Sequence, residues 1–350
     1  MRRIITTFAL LLSSVGAFSV TPEMPKLGGY IIGRYDYSDA AGQSTNGGFD
    51  LRLLRLQVDG TVAPDFYYKV QVQMNGSPGS EKGIRVVDAF AEWRKYSYAR
   101  IKLGEFKRCF TFENQYHPWN VGFGAYSQLV DKLASMNDRV GESPSNGRDL
   151  GIAVLGDLFK IGKDKHNLLF YQVGVYNGQG INYSDKDKKK DVIATLQVSP
   201  VKPLQLGVFG WTGSYTKDAI QVDRNRWGVG IKYESDWTVR TEYVASEGHK
   251  ISDYDTETKQ LKSTAARDKS DAWYVMVGVP VCDKFKAYAK WDVYRDEKTH
   301  ASQKTIWGIG LNYELSKHVK LQGNYNFVDD NTSTTDQHYN KLDVQLYVKF

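Results

Sequence analysis

The chain has 350 residues, 41% of them hydrophobic and 25% charged, with a formal net charge of +6. That length holds one large domain or two smaller ones. The 23 tyrosines and 32 glycines beside only 9 prolines suit a polar, strand-rich chain better than a helical one, and two cysteines exclude a disulfide framework.

The N-terminus reads as a targeting segment. Met1-Arg2-Arg3 is a short basic head, Ile4 to Phe18 is mostly apolar, and Ala17-Phe18-Ser19 has the small-x-small form of a cleavage site. Residues 1–19 are therefore read as a cleaved secretory signal peptide. The run is too short and too rich in Ser and Thr for a spanning helix, and no later segment approaches the ~20 apolar residues such a helix needs. The remaining 20–350 is either secreted or crosses a membrane as a barrel, whose strands are only half apolar.

Period-two alternation then recurs along the chain. It predicts strands at 30–37, 49–62, 66–74, 84–95 and 98–107. A connection of about forty residues, 107–147, follows without alternation. It carries Phe110, Phe112, Tyr116, Trp119, Phe123 and Tyr126, so it is expected to be ordered and packed, with a short helix in SQLVDKLASM. Alternation resumes at 148–158, 167–177, 191–199, 204–214, 224–234, 237–246, 271–279, 284–294, 303–314, 319–328 and 341–350. The count is sixteen. Even strand number, and long polar connections alternating with short turns, predict an all-β fold: a 16-stranded antiparallel transmembrane β-barrel with its long third loop folded into the lumen. A soluble sandwich or solenoid would show the same periodicity.

The two faces differ in chemistry. Val70, Val72, Ala91, Ile101, Leu103, Val173, Val175, Val229, Ile231, Ala289, Ile309 and Leu311 belong to the face assigned to lipid. Phe66, Trp93, Tyr233, Trp237, Phe285, Tyr313 and Phe350 mark where this face meets the short turns, as an interfacial girdle would. The other face is polar and is expected to line an aqueous lumen. Its bases are Arg55, Lys69, Arg94, Arg100, Lys102, Arg226, Lys232, Arg240, Lys286, Lys290 and Lys320, more numerous than its acids. A basic excess predicts a preference for anions; the alternative is that these charges pair across strands and only keep the lumen hydrated. In the long loop, Lys107, Arg108, Glu113, Lys132 and Arg139 are the candidates for a constriction.

The last strand, KLDVQLYVKF, sets Leu342, Val344, Leu346, Val348 and Phe350 on one face. Lys341, Asp343, Gln345, Tyr347 and Lys349 fall on the other. It runs to the final residue because a closed ring must tie its last strand to its first. A terminal aromatic on such a strand also resembles the signal read by the outer-membrane insertion machinery.

From the second strand to the eighth, the chain resembles the family of phosphate-selective porins O and P. RLLRLQVDGTVAPDFYYKVQVQ, VVDAFAEW, IKLGEFKRCFTFEN, RDLGIAVLGDL, YQVGVYNGQGIN and LQVSPVKPLQLGVFGW carry the likeness. The resemblance implies a homotrimeric barrel in the outer membrane of a Gram-negative bacterium, embedded in the lipid bilayer and passing small hydrophilic solutes; phosphate specificity is not carried over, and a preference for inorganic anions such as phosphate is a secondary expectation. The family's arginine ladder and lysine cluster are not carried over either, and Leu53 stands where the strand-two motif is expected to hold a second arginine.

No other chemistry is signalled. GVGIKY and GIGLNY lack the strand–turn–helix setting of a nucleotide loop. His117, His166, His249, His300, His318 and His338 show no zinc-ligand spacing. DKDKKK reads as a solvated loop, not a nucleic-acid patch. No cofactor, metal or catalytic residue is expected. The rival readings are an adhesin or receptor barrel, or an outer-membrane enzyme with a site hidden in the loops around 249–269 and 329–338.

Overall fold

The computed structural model describes residues 24–42, 46–76, 83–134, 136–334 and 337–350; the expected signal peptide lies outside them. The extended stretches are β1 (Lys26–Ser38), β2 (Gly47–Ala63), β3 (Phe66–Gln73), β4 (Arg85–Tyr96), β5 (Ala99–Lys107), β6 (Arg148–Ile161), β7 (His166–Tyr176), β8 (Asp191–Val201), β9 (Leu204–Thr212), β10 (Ser214–Lys217), β11 (Ile220–Asp223), β12 (Asn225–Glu234), β13 (Thr238–Glu247), β14 (Lys269–Cys282), β15 (Phe285–Arg295), β16 (Gln303–Glu314), β17 (Val319–Asp330) and β18 (His338–Lys349). All but β10 and β11 form one closed antiparallel ring of sixteen strands. Helices α1 (Phe112–Gln115) and α2 (Gln128–Leu133) lie in the β5–β6 connection.

The alternation has its predicted consequence, with the burial inverted relative to a soluble protein. Val229 and Ile231 are 45% and 46% exposed, whereas Gln322 and Gln345 are wholly buried. Aliphatic side chains face out on β3, β5, β7, β12, β16 and β18; Arg, Gln and Glu face in. A sandwich would bury the aliphatic face, and a soluble monomer rarely exposes so large an apolar surface. The belt is therefore a lipid-facing one.

Turns joining β2–β3, β4–β5, β6–β7, β8–β9, β12–β13, β14–β15 and β16–β17 span two to four residues and define one rim. The predicted girdle residues sit near it on the outer face. Phe66 is opposite Trp93, Phe285 stacks on Tyr313 at 4.3 Å, and Tyr233, Trp237 and Phe350 are exposed. Towards the other rim, Trp307 and Phe327 lie 5.7 Å apart. Cys109 is buried and Cys282 exposed; both are free.

One element departs from the sequence reading. The ninth strand ends at Thr212, not Ser214, and β10–β11 form a separate hairpin that alternation misses. Each of its strands has only four residues. Its turn residues, Asp218 and Ala219, both take positive φ (52° and 63°). That is the type I′ pattern, here without the Asn-Gly pair that usually announces it.

Closure comes from the antiparallel pairing of β1 with β18, from Tyr30 opposite Lys349 to Ser38 opposite Lys341, and the last residue extends it. Phe350 N–H donates to the Gly29 carbonyl at 3.0 Å, and Gly29 N–H donates to the Phe350 carbonyl at 2.9 Å. A Cβ on Gly29 would lie 2.7 Å from the Phe350 ring, so only glycine leaves room for it. Deleting Phe350 removes both bonds, each worth about 0.5–1.5 kcal/mol. The urea midpoint of the barrel in lipid vesicles is expected to fall; an unchanged midpoint would contradict this closure.

Candidate functional site

The long β5–β6 connection is fastened to the inner face of the ring, and the fastening is lopsided. Backbone N–H groups of Phe112 and Glu113 donate to the Glu242 carboxylate at 2.6 and 2.9 Å, and the Tyr274 hydroxyl donates to the same group. The Gln128 N–H donates to Asp292 at 3.0 Å. Arg240 donates to the carbonyls of Asn120 and Val121, and Lys320 to that of Trp119. Asn312 and Gln322 both reach the Gly122 carbonyl, and Gln345 the Gly124 carbonyl. These wall residues lie on β13–β18. Around them Phe110, Phe112, Phe123, Leu129, Val130 and Leu133 pack with Phe209, Trp211 and Tyr274 into the main apolar cluster. The segment thus lies inside the ring against β9 and β12–β18. Helix α2 is capped by Ser127, as its sequence allows.

Buried charge tightens this attachment. Arg226 pairs with Asp138 through two bonds of 2.6 Å, both side chains wholly buried. Arg108 pairs with Glu142 and Asp149, and Arg224 with Glu142 and Asp191, around the Trp211 ring. Arg139 reaches Asp296 at 3.2 Å, and Glu113 accepts from Ser127 at 2.9 Å. Desolvation raises the Glu113 carboxyl above its ordinary range. Arg108, Glu113 and Arg139, expected to face the lumen as constriction candidates, are buried and hold the loop in place.

The opposite arc, β1–β6, meets the loop at fewer points, such as Tyr30 at His117 and Arg85 at the Pro144 carbonyl, and borders open space between them. A cavity of 530 Å3 is lined by Arg34, Arg52, Arg55, Lys107, Lys132, Arg148, Lys304 and Lys341, with Asp131 as its one lining carboxylate among the described residues. A second, of 240 Å3, is lined by Arg55, Lys69, Lys102, Lys107 and Arg148, with Asp88. Arg55, Lys107, Arg148 and Pro118 of the loop line both, and this shared stretch is the neck between them. A third cavity of 850 Å3 at the short-turn rim is balanced: Glu234, Asp236, Asp283 and Glu314 face Arg240, Lys284, Lys286 and Lys320.

Pairing separates these bases. Arg148 and Lys69 share Asp88. Arg94, Arg100 and Lys102 gather round Glu92, and Arg100 also reaches Asp157. Lys132 meets Asp131, Lys290 meets Asp292, and Lys232 and Arg240 meet Glu234. Lys286 donates to Thr238. Arg226 is committed to the loop. Pairing of the kind expected joins Lys232 to Glu234, whereas Glu242 pairs with neither Arg226 nor Lys232 because it serves the loop backbone. Arg55, in contrast, donates only to Gln73 and the Tyr30 hydroxyl. Lys107 donates to the carbonyls of Asn114 and Tyr116 at 2.6 and 2.8 Å. Arg52 donates to Gln345 and Tyr347. Among the described residues none of the three has a carboxylate partner. Their charge acts on the loop: confinement in the barrel, then the charges of Lys107, Arg55 and Lys69, push the His117 imidazole well below its ordinary range and hold it neutral.

Arg34, Arg52, Arg148 and Lys304 were not among the predicted wall bases. Strict alternation from Arg55 places Arg52 outside. The register shifts there: Ile32 faces Leu53 and Gly33 faces Leu51, so Arg52 is the extra residue of a β-bulge. The bulge turns Arg52 and Leu53 to the same side. An arginine therefore does reach the lumen from this motif, one position before Leu53. Arg34 was masked by the adjacent Ile31 and Ile32, which leave the face of β1 ambiguous. Arg148 and Lys304 stand at strand starts, where no period is yet established.

Replacing Asp138 with Asn leaves Arg226 buried without its counter-charge, at a cost of about 3–5 kcal/mol when the wall cannot relax. The Asp138→Asn protein is expected to show a lower urea midpoint and faster proteolysis within 108–147. Wild-type resistance on both counts would mean the pair does not hold the loop.

Residues 6–333 match a protein family described as Gram-negative porin. Among solved structures the barrel is similar to the anion-selective porin from Comamonas acidovorans, with a TM-score of 0.69 and 14% identity over 93% of this chain and 99% of that one. It is also similar to OmpT, an outer membrane protein of Vibrio cholerae, in its in-vitro folded trimer form (TM-score 0.63, 12% identity, 93% and 99% covered). The outer membrane channel DcaP of Acinetobacter baumannii is alike to the same degree (TM-score 0.63, 13% identity, 93% and 97% covered). At these identities the likeness speaks for the fold. No curated protein sequence matches the chain.

Proposed function

The chain belongs to the Gram-negative porin family, an outer-membrane channel family, and on that premise we propose that its barrel passes small hydrophilic solutes by diffusion, with inorganic anions preferred and phosphate among them. The observation that carries the preference is the neck. Arg55 and Lys107, with Arg52 in the wider cavity beside it, have no carboxylate at ion-pair distance among the described residues, and the nearby Asp88 is shared by Arg148 and Lys69. Uncompensated positive charge in a confined aqueous path favours anions, because lining charge selects by sign. The loop 107–147 narrows the path from the side of Pro118 and leaves the basic arc as the route. The paired bases elsewhere on the wall keep it hydrated and add little selectivity.

Two further features support the reading. The anion-selective porin of Comamonas acidovorans shares the fold, and the second-to-eighth-strand motifs resemble phosphate-selective porins. A homotrimer agrees with the trimer form of OmpT; the exposed aliphatic belt and aromatic girdle then meet lipid and neighbouring copies. The terminal Phe350 would serve as the signal for the insertion machinery.

In planar bilayers with a potassium chloride gradient, the reversal potential is expected to carry the sign of chloride preference. Arg55→Glu and Lys107→Glu should each move the permeability ratio towards potassium. One unit charge at ~4 Å in water is worth about 1 kcal/mol, so about fivefold per charge is expected, shrinking at high salt. Cation preference in the unaltered protein, or no movement in both variants, would contradict the proposal.

A further inference from the structure

The basic arc also carries aromatic rings, and an inorganic anion has no use for them. Tyr67, Phe90 and Phe106 follow one another along the inner face of β3, β4 and β5, with centroids 6.2 and 6.1 Å apart. Phe106 is buried against Tyr176. Phe90 packs against the main apolar cluster but is only partly buried, and its remaining surface lines the 240 Å3 cavity. Tyr67, also half-exposed, continues the strip beside the Pro64-Asp65 turn.

Bases sit against these rings. The Lys102 ammonium lies 4.8 Å from the Phe90 centroid and 5.5 Å from that of Phe106. The Arg94 guanidinium lies 3.6 Å over Tyr67. Gly104, on the same face and directly opposite Phe90 in the register, adds no side chain over that ring. A side chain cannot be placed there: its Cβ would meet the Ala89 carbonyl oxygen at 2.2 Å, and φ is +130°.

The part of a phenyl ring left open to a hydrated cavity is stabilised when something apolar covers it. A solute that joins a ring to a carboxylate would cover Phe90 and meet the unpaired bases together. The cavity is smaller than the ~300–1,000 Å3 of drug-sized pockets, which limits the solute to a single ring. Arginine offers the planar fork that a carboxylate accepts.

We infer that the cavity beside Phe90 is a subsite for small aromatic carboxylates, the ring lying on Phe90 and the carboxylate on Arg55 and Lys107. The inference rests on the anion-preferring channel proposed above and narrows its solutes. Rings entering from the short-turn rim would meet Tyr67 first.

The test uses protein purified from outer membranes, in planar bilayers, with benzoate, acetate and cyclohexanecarboxylate as added probes against a chloride current. Benzoate is expected to half-block the current at a concentration about tenfold below that of acetate, and below that of cyclohexanecarboxylate. Phe90→Leu, which keeps an apolar side chain, should bring the benzoate and acetate values together. Chloride preference with equal block by benzoate and acetate overturns the subsite alone. So does cyclohexanecarboxylate blocking as well as benzoate, or a Phe90→Leu protein that retains the tenfold ratio. Absence of chloride preference in the unaltered protein overturns the anion reading and, with it, the subsite.

Discussion

Hydrocarbon offers no hydrogen bonds, so a sheet that crosses it must close on itself. The rest of this molecule follows from that constraint. Closure makes the last residue part of the sheet, which is why Phe350 bonds to Gly29 instead of fraying. It also turns the burial pattern inside out. The aliphatic half of each strand meets lipid, and the polar half is forced together in the interior.

A polar interior can be used in two ways, and the two arcs of the wall divide them. Where the long connection lies against β12–β18, charges are matched at close range: Arg226 with Asp138, Arg224 with Asp191, Glu242 with backbone donors. Buried pairs of this kind contribute little net stability but are costly to break, so they fix geometry more than they add to folding. Along β1–β6 the loop supplies no carboxylate to Arg52, Arg55 or Lys107. The same side-chain types thus act as fasteners on one arc, while on the other Arg52, Arg55 and Lys107 stand without a close carboxylate among the described residues, beside bases that Asp88 and Glu92 pair. What separates them is the company they keep.

The strand pattern was legible because lipid enforces period two along most of each spanning stretch. The outward faces of Val229, Ile231, Ile309 and Leu311 could be assigned from spacing alone. The loop's order could be foreseen from Phe110, Phe112 and Phe123, which have no reason to be there unless buried. Three things were not legible. A bulge has no periodic signature, and so Arg52 was placed outside. A base cannot be sorted from sequence into paired or unpaired, because its partner comes from a distant segment: Asp138 is 88 residues from Arg226. Arg108 and Arg139 were expected in the lumen because charged loop residues usually face water, and here Asp149 and Asp296 draw them into the wall.

The central claim is that anions travel along the basic arc, through the neck at Arg55 and Lys107. Anomalous diffraction from crystals soaked in rubidium bromide tests it most directly, since bromide and rubidium can be told apart by their absorption edges. Bromide peaks within contact of Arg55, Lys107 and Arg52, with no rubidium there, are the expected result. Rubidium at the neck, or bromide confined to the balanced cavity near Glu234 and Glu314, would contradict the account.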